Sequence, residues 1–104
     1  MAGLGKFLKQ AQKMQEQMQR VQEELAQREV EGTSGGGAVK AIAKCDGSIR
    51  SIKIDPKVVD PQDVEMLEDM VLGAVTNALE IAKKTQSDEM GKVTAGMNIP
   101  GMNI

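Results

Sequence analysis

The sequence has no histidine, tryptophan or tyrosine, and it contains one phenylalanine and one cysteine. The missing histidine excludes Ser–His and Cys–His catalytic pairs, and together with the single cysteine it excludes the usual zinc sites. One cysteine also excludes a disulfide within the chain, and we interpret Cys45 as a small core residue of a strand. No nucleophile–base pair, metal cluster or cofactor loop is visible elsewhere. The sequence therefore predicts a protein that is not an enzyme and that has no metal, no cofactor and no small-molecule substrate.

Aromatic bulk is nearly missing from the apolar residues, which are Ala, Val, Ile, Leu and eight Met. The length of 104 residues fits one domain. A domain of this size buries only about two-thirds of its unfolded surface. With so little aromatic volume a monomer would be marginally stable, and oligomerisation is the simplest remedy.

Long apolar runs are also lacking. None approaches the roughly 18 residues that a membrane span requires, and the N-terminal segment lacks the apolar core of a signal peptide. We therefore expect a cytoplasmic protein with no membrane partner.

The net charge of −2 and the pI near 5.1 argue against a nucleic-acid partner, but the charges are unevenly distributed. Residues 1–20 hold four basic residues and one acid, and residues 38–57 hold five basic residues and two acids. Residues 58–80 hold six acids and no base. Because charge interactions decay within a Debye length of about 10 Å, a bound polyanion responds to the local field more than to the total.

Residues 4–28 carry a strict seven-residue apolar repeat, which predicts one long amphipathic helix. We call the repeat the apolar seam; it comprises Leu4, Phe7, Ala11, Met14, Met18, Val21 and Leu25. Such a helix is roughly 37 Å long at 1.5 Å per residue. The rest of so small a chain cannot bury it, so part of it should project or pair with a second subunit along the seam.

The segment after this helix predicts a small antiparallel sheet. Residues 38–45 and 48–55 read as two strands joined by an Asp46-Gly47 turn, and residues 29–33 as a third, short strand. Residues 32–37 read as a flexible loop. They are not a phosphate loop, because Ala38 and Val39 stand where Lys and Ser or Thr are required.

A second helix is predicted to begin with Asp60 as N-cap and Pro61 at the first helical position, and to reach about Lys92. Its apolar face comprises Val64, Leu67, Val71, Ala74, Ala78 and Ile81, widened by Val75, Leu79 and Ala82. The acids at its start suit the helix dipole better than a metal site. The whole is an α+β fold in one domain, 1–95, followed by a flexible Gly/Met-rich tail, 96–104.

Basic residues follow the first helix in a stripe. Lys6, Lys13 and Arg20 fall on nearly one line, with Lys9 close by. They are either flank charges of a coiled coil, which the spacing alone favours, or a phosphate-contacting stripe. Single-strand and RNA readers usually stack bases on aromatic rings. If the partner is a nucleic acid, the duplex backbone is therefore the favoured target.

Four segments occur together in this order: residues 5–19, 30–37, 52–56 and 65–69. In this the chain resembles, over nearly its whole length, the YbaB/EbfC family of small bacterial nucleoid-associated proteins. The resemblance implies an α-β-β-β-α homodimer with projecting helices and non-enzymatic binding of double-stranded DNA in the cytoplasmic nucleoid. It also implies DNA contacts by the first and last helices, whose basic residues are Lys6, Lys9, Lys13, Arg20, Lys83, Lys84 and Lys92.

A different class of function remains open from the residues alone. The Gln- and Met-rich first helix suits adaptable contacts with a partner helix, as in a protein-interaction module.

Overall fold

The computed structural model describes residues 2–96. Its elements are α1 (Ala2–Gln27), β1 (Glu29–Ser34), β2 (Val39–Lys44), β3 (Ile49–Ile54) and α2 (Val64–Gly96), with short 3-10 turns at Gly35–Gly37 and Pro56–Val58. The order α-β-β-β-α confirms the predicted fold class.

The molecule is elongated. It measures 74 × 26 × 16 Å, with a radius of gyration of 20.2 Å, against about 13 Å for a compact domain of about 100 residues. The elongation comes from α1, whose residues between Gly3 and Lys13 are all exposed. The first half of α1 therefore extends past the body, one of the two outcomes that its length predicted.

The sheet has the strand order β1-β2-β3, and both neighbouring pairs are antiparallel. The short strand predicted over 29–33 is confirmed as β1, which continues to Ser34. The predicted loop over 32–37 is therefore wrong for its first three residues, and the connection is the turn Gly35–Gly37. Gly32 pairs with Ala41 inside the ladder. It is a glycine because α2 lies too close for a side chain, and not because the backbone turns there.

The Asp46-Gly47 turn is confirmed. Gly47 adopts φ +94°, which favours glycine. The Asp46 carboxylate accepts from the backbone N–H of Ser48 at 2.9 Å and from its hydroxyl at 2.6 Å. The turn thereby fixes the pairing of β2 with β3.

The core lies between α2 and the sheet. It contains Ala74, Ala78 and Ala82 of α2, packed against alternate residues of β2 and the residue that follows it: Val39, Ala41, Ala43 and Cys45. Cys45 is 1% exposed, which confirms that it is a core residue.

The predicted apolar face of α2 is wrong at two positions, since Val64 is 51% and Ile81 37% exposed. Small side chains allow close approach to the sheet, so the alanine line faces it and those larger residues lie beside it.

The start of α2 also differs from the prediction. Asp60 begins a turn closed by the Asp63 N–H on its carbonyl, and α2 begins at Val64. Asp63 is the N-cap, because its carboxylate accepts from the N–H of Met66 at 3.2 Å. At the other end α2 continues past Lys92 to Gly96. Apart from Gly96, the predicted tail lies outside the described residues.

A bulge shapes β3. Ile42 pairs with Ser51 and Ala43 with Ile49, so Arg50 is the extra residue. Arg50 reaches across the sheet surface that faces away from α2 and forms an ion pair with Glu29 of β1. The bulge also brings Ile49 onto the same face as Ile52 and Ile54, which pair with Ala41 and Val39.

Candidate nucleic-acid interface

The basic stripe of α1 is fully available to a partner. Lys6, Lys9, Lys13 and Arg20 are all exposed, and within residues 2–96 none of them forms an ion pair. From Lys6 to Arg20 the stripe is about 21 Å long at 1.5 Å per residue. That is somewhat under two-thirds of the roughly 34 Å turn of B-DNA.

The apolar seam divides into two halves. Its inner half belongs to the body, since Leu25 is 3% exposed and Val21 packs against the same core as Met90 of α2. Met14 and Met18 are half-buried. In its outer half Leu4 is 61% and Phe7 65% exposed, and Ala11 is exposed as well. Pairing of two chains along the seam therefore stays a prediction that concerns the outer turns.

Sequence reasoning missed one residue of the outer half. Leu8 is 57% exposed and follows Phe7 directly. It lies outside the heptad pattern, so the repeat gave no signal for it. Together with Leu4 and Phe7 it forms an apolar end on α1, on the side of the helix away from the basic stripe.

The candidates on α2 differ among themselves. Lys83 and Lys84 are exposed and form no ion pair in the described part of the chain. Lys92 instead donates to Glu89 at 3.1 Å, and Glu89 also accepts from Arg28 at 3.3 Å. Lys92 is thus partly neutralised, at the junction of α2 with the base of α1.

Glu89 is ionised at this junction. The hydrogen bond from Lys92, the charge of Lys92 and the nearby Arg28 all lower the pKa of Glu89 below its ordinary value of 4.5. The carboxylate therefore offsets positive charge beside Lys92, and the structure leaves α1 as the more strongly basic element.

The acidic cluster of residues 60–69 lies at the far end of the body. The Ser34 hydroxyl donates to the Met70 carbonyl, which places the start of α2 at the glycine-turn end of the sheet. The chain leaves α1 at the other end, where the Cys45 N–H donates to the Arg28 carbonyl at 2.9 Å. A six-residue strand separates these ends by about 20 Å, or about two Debye lengths. The net charge of −2 therefore does not describe the field around α1.

Residues 2–96 contain no group of three His, Cys, Asp or Glu side chains arranged to hold a metal ion. No helix in that range combines the length and apolar character of a membrane span. The turn Gly35–Gly37 leads into β2, whereas a phosphate loop leads into a helix.

The fold and the candidate site define a class: a small α+β protein that presents exposed basic residues on a helix extending from its body. The model of the YbaB/EbfC DNA-binding family matches residues 1–97. The chain belongs to this family, which confirms the resemblance found in the sequence. The family description names DNA binding and no reaction.

Three relatives share the description "nucleoid-associated protein". A nucleoid-associated protein of Caldanaerobacter subterraneus subsp. tengcongensis is 54% identical over 99 residues, covering 95% of this chain and 89% of that protein. One of Pelotomaculum thermopropionicum is 52% identical, covering 95% and 94%. One of Clostridium acetobutylicum is 48% identical, covering 95% and 88%.

The fold has also been seen in a crystal. An uncharacterized protein of Helicobacter pylori superposes with a TM-score of 0.72 at 17% identity, covering 90% of this chain and 96% of that one. At so low an identity the likeness supports the fold alone.

Proposed function

We propose that this chain binds double-stranded DNA as a homodimer, without catalysis, in the bacterial nucleoid of the cytoplasm. The main contacts are made by the basic stripe of α1, with contributions from α2; the residues are Lys6, Lys9, Lys13, Arg20, Lys83, Lys84 and Lys92. The family's description as DNA-binding and the relatives' name support this proposal.

One observation carries the proposal: the exposed half of α1 is basic along its length and far from the acidic end of the body. The first acid of α1 is Glu16, so Lys6, Lys9 and Lys13 precede every carboxylate of that helix. Lysines placed against phosphates release condensed counterions, which favours binding without reading the bases. One phenylalanine in 104 residues offers little base stacking, so the duplex is favoured over single strands.

The dimer is supported by how little the single chain buries. Among residues 2–96, Val39 and Cys45 are the largest fully buried side chains, and the other buried apolar residues are Leu25 and five alanines. Such a core is thin for an independent domain. Two-fold symmetry would double the number of basic helices and fix their spacing.

The test is fluorescence anisotropy of a labelled duplex of about three helical turns, titrated with protein at several salt concentrations. We expect binding that weakens steeply as salt rises. The variant Lys6→Glu with Lys13→Glu should bind more weakly, because both charges lie on the stripe. The matched control is Lys53→Glu with Lys57→Glu, which changes the net charge equally at exposed positions of the body. Equal losses in the two variants would show that only net charge matters, and undiminished binding in the first would move the site away from α1.

A second function is favoured by the apolar end of α1. Leu4, Phe7 and Leu8 are each more than half exposed, as expected for a helix that docks a partner helix. The variant Leu4→Gln with Phe7→Gln separates the two functions. Unchanged DNA affinity together with loss of a salt-resistant protein partner would favour the interaction module. Loss of DNA affinity alone would count against it.

A further inference from the structure

An apolar surface follows the β3 edge of the body. It comprises Ile49, Ile52 and Ile54 of β3 and Leu72, Val75 and Leu79 of α2, and we call it the apolar flank. The three isoleucines pair with Ala43, Ala41 and Val39. Directly opposite residues share a face of the sheet, and those three partners are buried under α2. The isoleucines therefore lie on the α2 side of the sheet.

The side of α2 that completes the apolar flank follows from its contacts. Toward β1, the Asn77 side chain accepts from the Thr33 N–H and the Met70 carbonyl accepts from Ser34. The alanine line at 74, 78 and 82 faces the middle of the sheet. On a helix of 3.6 residues per turn, Val75, Leu79 and Leu72 follow on the side opposite to Asn77, and so toward β3.

The apolar flank is partly uncovered because α2 lies mainly over β1 and β2 and touches β3 only at its margin. Ile49, Ile52 and Ile54 are 38%, 43% and 37% exposed, and Leu72 is 65% exposed. Val75 and Leu79 are half-buried. All six are large aliphatic residues on adjacent elements, an arrangement typical of an interaction surface. Their volume is what the alanine-rich core of the single chain lacks.

We propose that the apolar flank is covered by α2 of a second copy of this chain, packed antiparallel to the first α2 and lying over β3. This rests on the homodimer of the proposed function and names its surface. The order of residues along this side of α2 carries the argument: Glu68, Leu72, Val75, Leu79, Lys83.

That order is complementary to itself only in the antiparallel direction. Two copies crossing near Val75 bring Leu72 beside the partner's Leu79 and Glu68 beside the partner's Lys83. The two-fold axis repeats both contacts. Parallel copies in register would set Glu68 against Glu68 and Lys83 against Lys83, which is repulsive. A second copy therefore satisfies both the apolar residues and the charges at the two ends.

The α1 seam cannot serve equally well. Its inner half is already buried within the chain at Leu25, and only the first turns remain free. A standard interface needs about 800 Å² from each partner, more than a few turns of one helix supply. The consequence is that Lys83 pairs with Glu68 across the dimer in place of the DNA contact proposed for it above. Lys84, about 100° around α2, stays free for DNA.

The test measures oligomeric state by sedimentation equilibrium without DNA. Glu68→Lys alone and Lys83→Glu alone should each raise the dimer dissociation constant by about tenfold or more. The double variant should restore it. Lys84→Glu is the matched control and should leave dimerisation unchanged. Leu72→Gln, at a position that is exposed in the single chain, should also weaken the dimer and leave the helix content by circular dichroism unchanged.

The outcomes separate this proposal from DNA binding. A dimer that withstands both single reversals and Leu72→Gln would overturn the assigned surface, and so would a double variant as weak as the single ones. A monomeric wild-type chain would overturn the dimer itself. Neither result decides the anisotropy titration, which reports DNA binding by α1 separately.

Discussion

Gly32 of β1 lies directly against the backbone of Ala78 of α2. A Cβ placed on Gly32 would be 2.2 Å from the Ala78 nitrogen and 2.5 Å from the Ala74 carbonyl oxygen. Both atoms belong to helix backbone and cannot move without shifting α2. This contact sets the distance between the helix and the sheet, and it explains why the facing residues of α2 are alanines.

The substitution Gly32→Ala should therefore destabilise the protein by about 3 kcal/mol, the upper part of the usual range for overpacking. Denaturant unfolding followed by circular dichroism measures this. Gly91→Ala is the control. Gly91 also lies in α2, and a Cβ placed on it would meet no atom within 4 Å. It should stabilise by roughly 0.5–1 kcal/mol. Similar values for the two variants would contradict the close contact.

Asn77 of α2 completes the hydrogen bonding of an edge strand. Its side-chain oxygen accepts from the Thr33 N–H at 3.0 Å. Asn77→Ala should lower the free energy of unfolding by about 1 kcal/mol. Thr76→Ala, at the exposed neighbouring position, should change it by less than about 0.5 kcal/mol. Equal changes would show that the bond contributes nothing to stability.

The two halves of the apolar seam should respond differently to truncation. Leu25→Ala removes a side chain that is 3% exposed and should cost about 2–5 kcal/mol. Phe7→Ala, at a position that is 65% exposed, should change thermal stability little. If Phe7→Ala lowered the melting temperature as much as Leu25→Ala, the outer turns would be buried in solution, as in seam pairing.

Stability should depend on pH through Asp46. The hydroxyl and then the N–H of Ser48 lower the pKa of Asp46 below its ordinary value of 3.8. A depressed pKa in the folded state means that the carboxylate stabilises the fold above pH 3.8 and that this contribution is lost as pH falls through the lower, folded value. Asp46→Asn should therefore be less stable than the wild type at neutral pH, and the difference should close as the pH falls from 3.8 through the lower pKa of folded Asp46. Denaturant midpoints of the two proteins measure this difference. If it stayed constant with pH, the ionised carboxylate would be excluded as its source.

The salt dependence of DNA binding should report individual contacts between lysines and phosphates. Lys9→Ala should reduce the slope of log affinity against log salt by about one for each Lys9 that meets a phosphate. Lys57→Ala, at an exposed position of the body, should leave the slope unchanged. A slope that falls equally in both variants would point to a diffuse field instead of discrete phosphate contacts.

Much of the fold was predictable because its signals are local. The heptad repeat predicted α1, Asp46-Gly47 predicted the hairpin turn, and the Ala, Val and Ile residues of 38–45 predicted a strand. The start of α2 was less predictable, since Asp60 and Asp63 are both good caps and only the turn closed between them makes Asp63 the N-cap. The glycines of 32–37 look alike in sequence. Gly32 belongs to a strand, because its role depends on Ala78, which is distant along the chain.

The candidate site divides in the same way. That α1 is basic could be read from the order of its residues, because helix geometry alone brings Lys6, Lys13 and Arg20 to one side. The sequence did not show that the acids of 60–69 lie far from α1. Their position depends on which end of the sheet α2 starts from.

The sequence by itself determined the family, the order of the elements and the basic character of α1, because these follow from residues close together in the chain. Only the tertiary structure decided which apolar residues are buried. On the apolar seam it buried Leu25 and left Phe7 exposed. On α2 it packed Ala78 against the sheet and left Leu72 exposed. Burial depends on which distant elements come to lie beside a residue, and α2 lies mainly over β1 and β2, which leaves β3 partly uncovered.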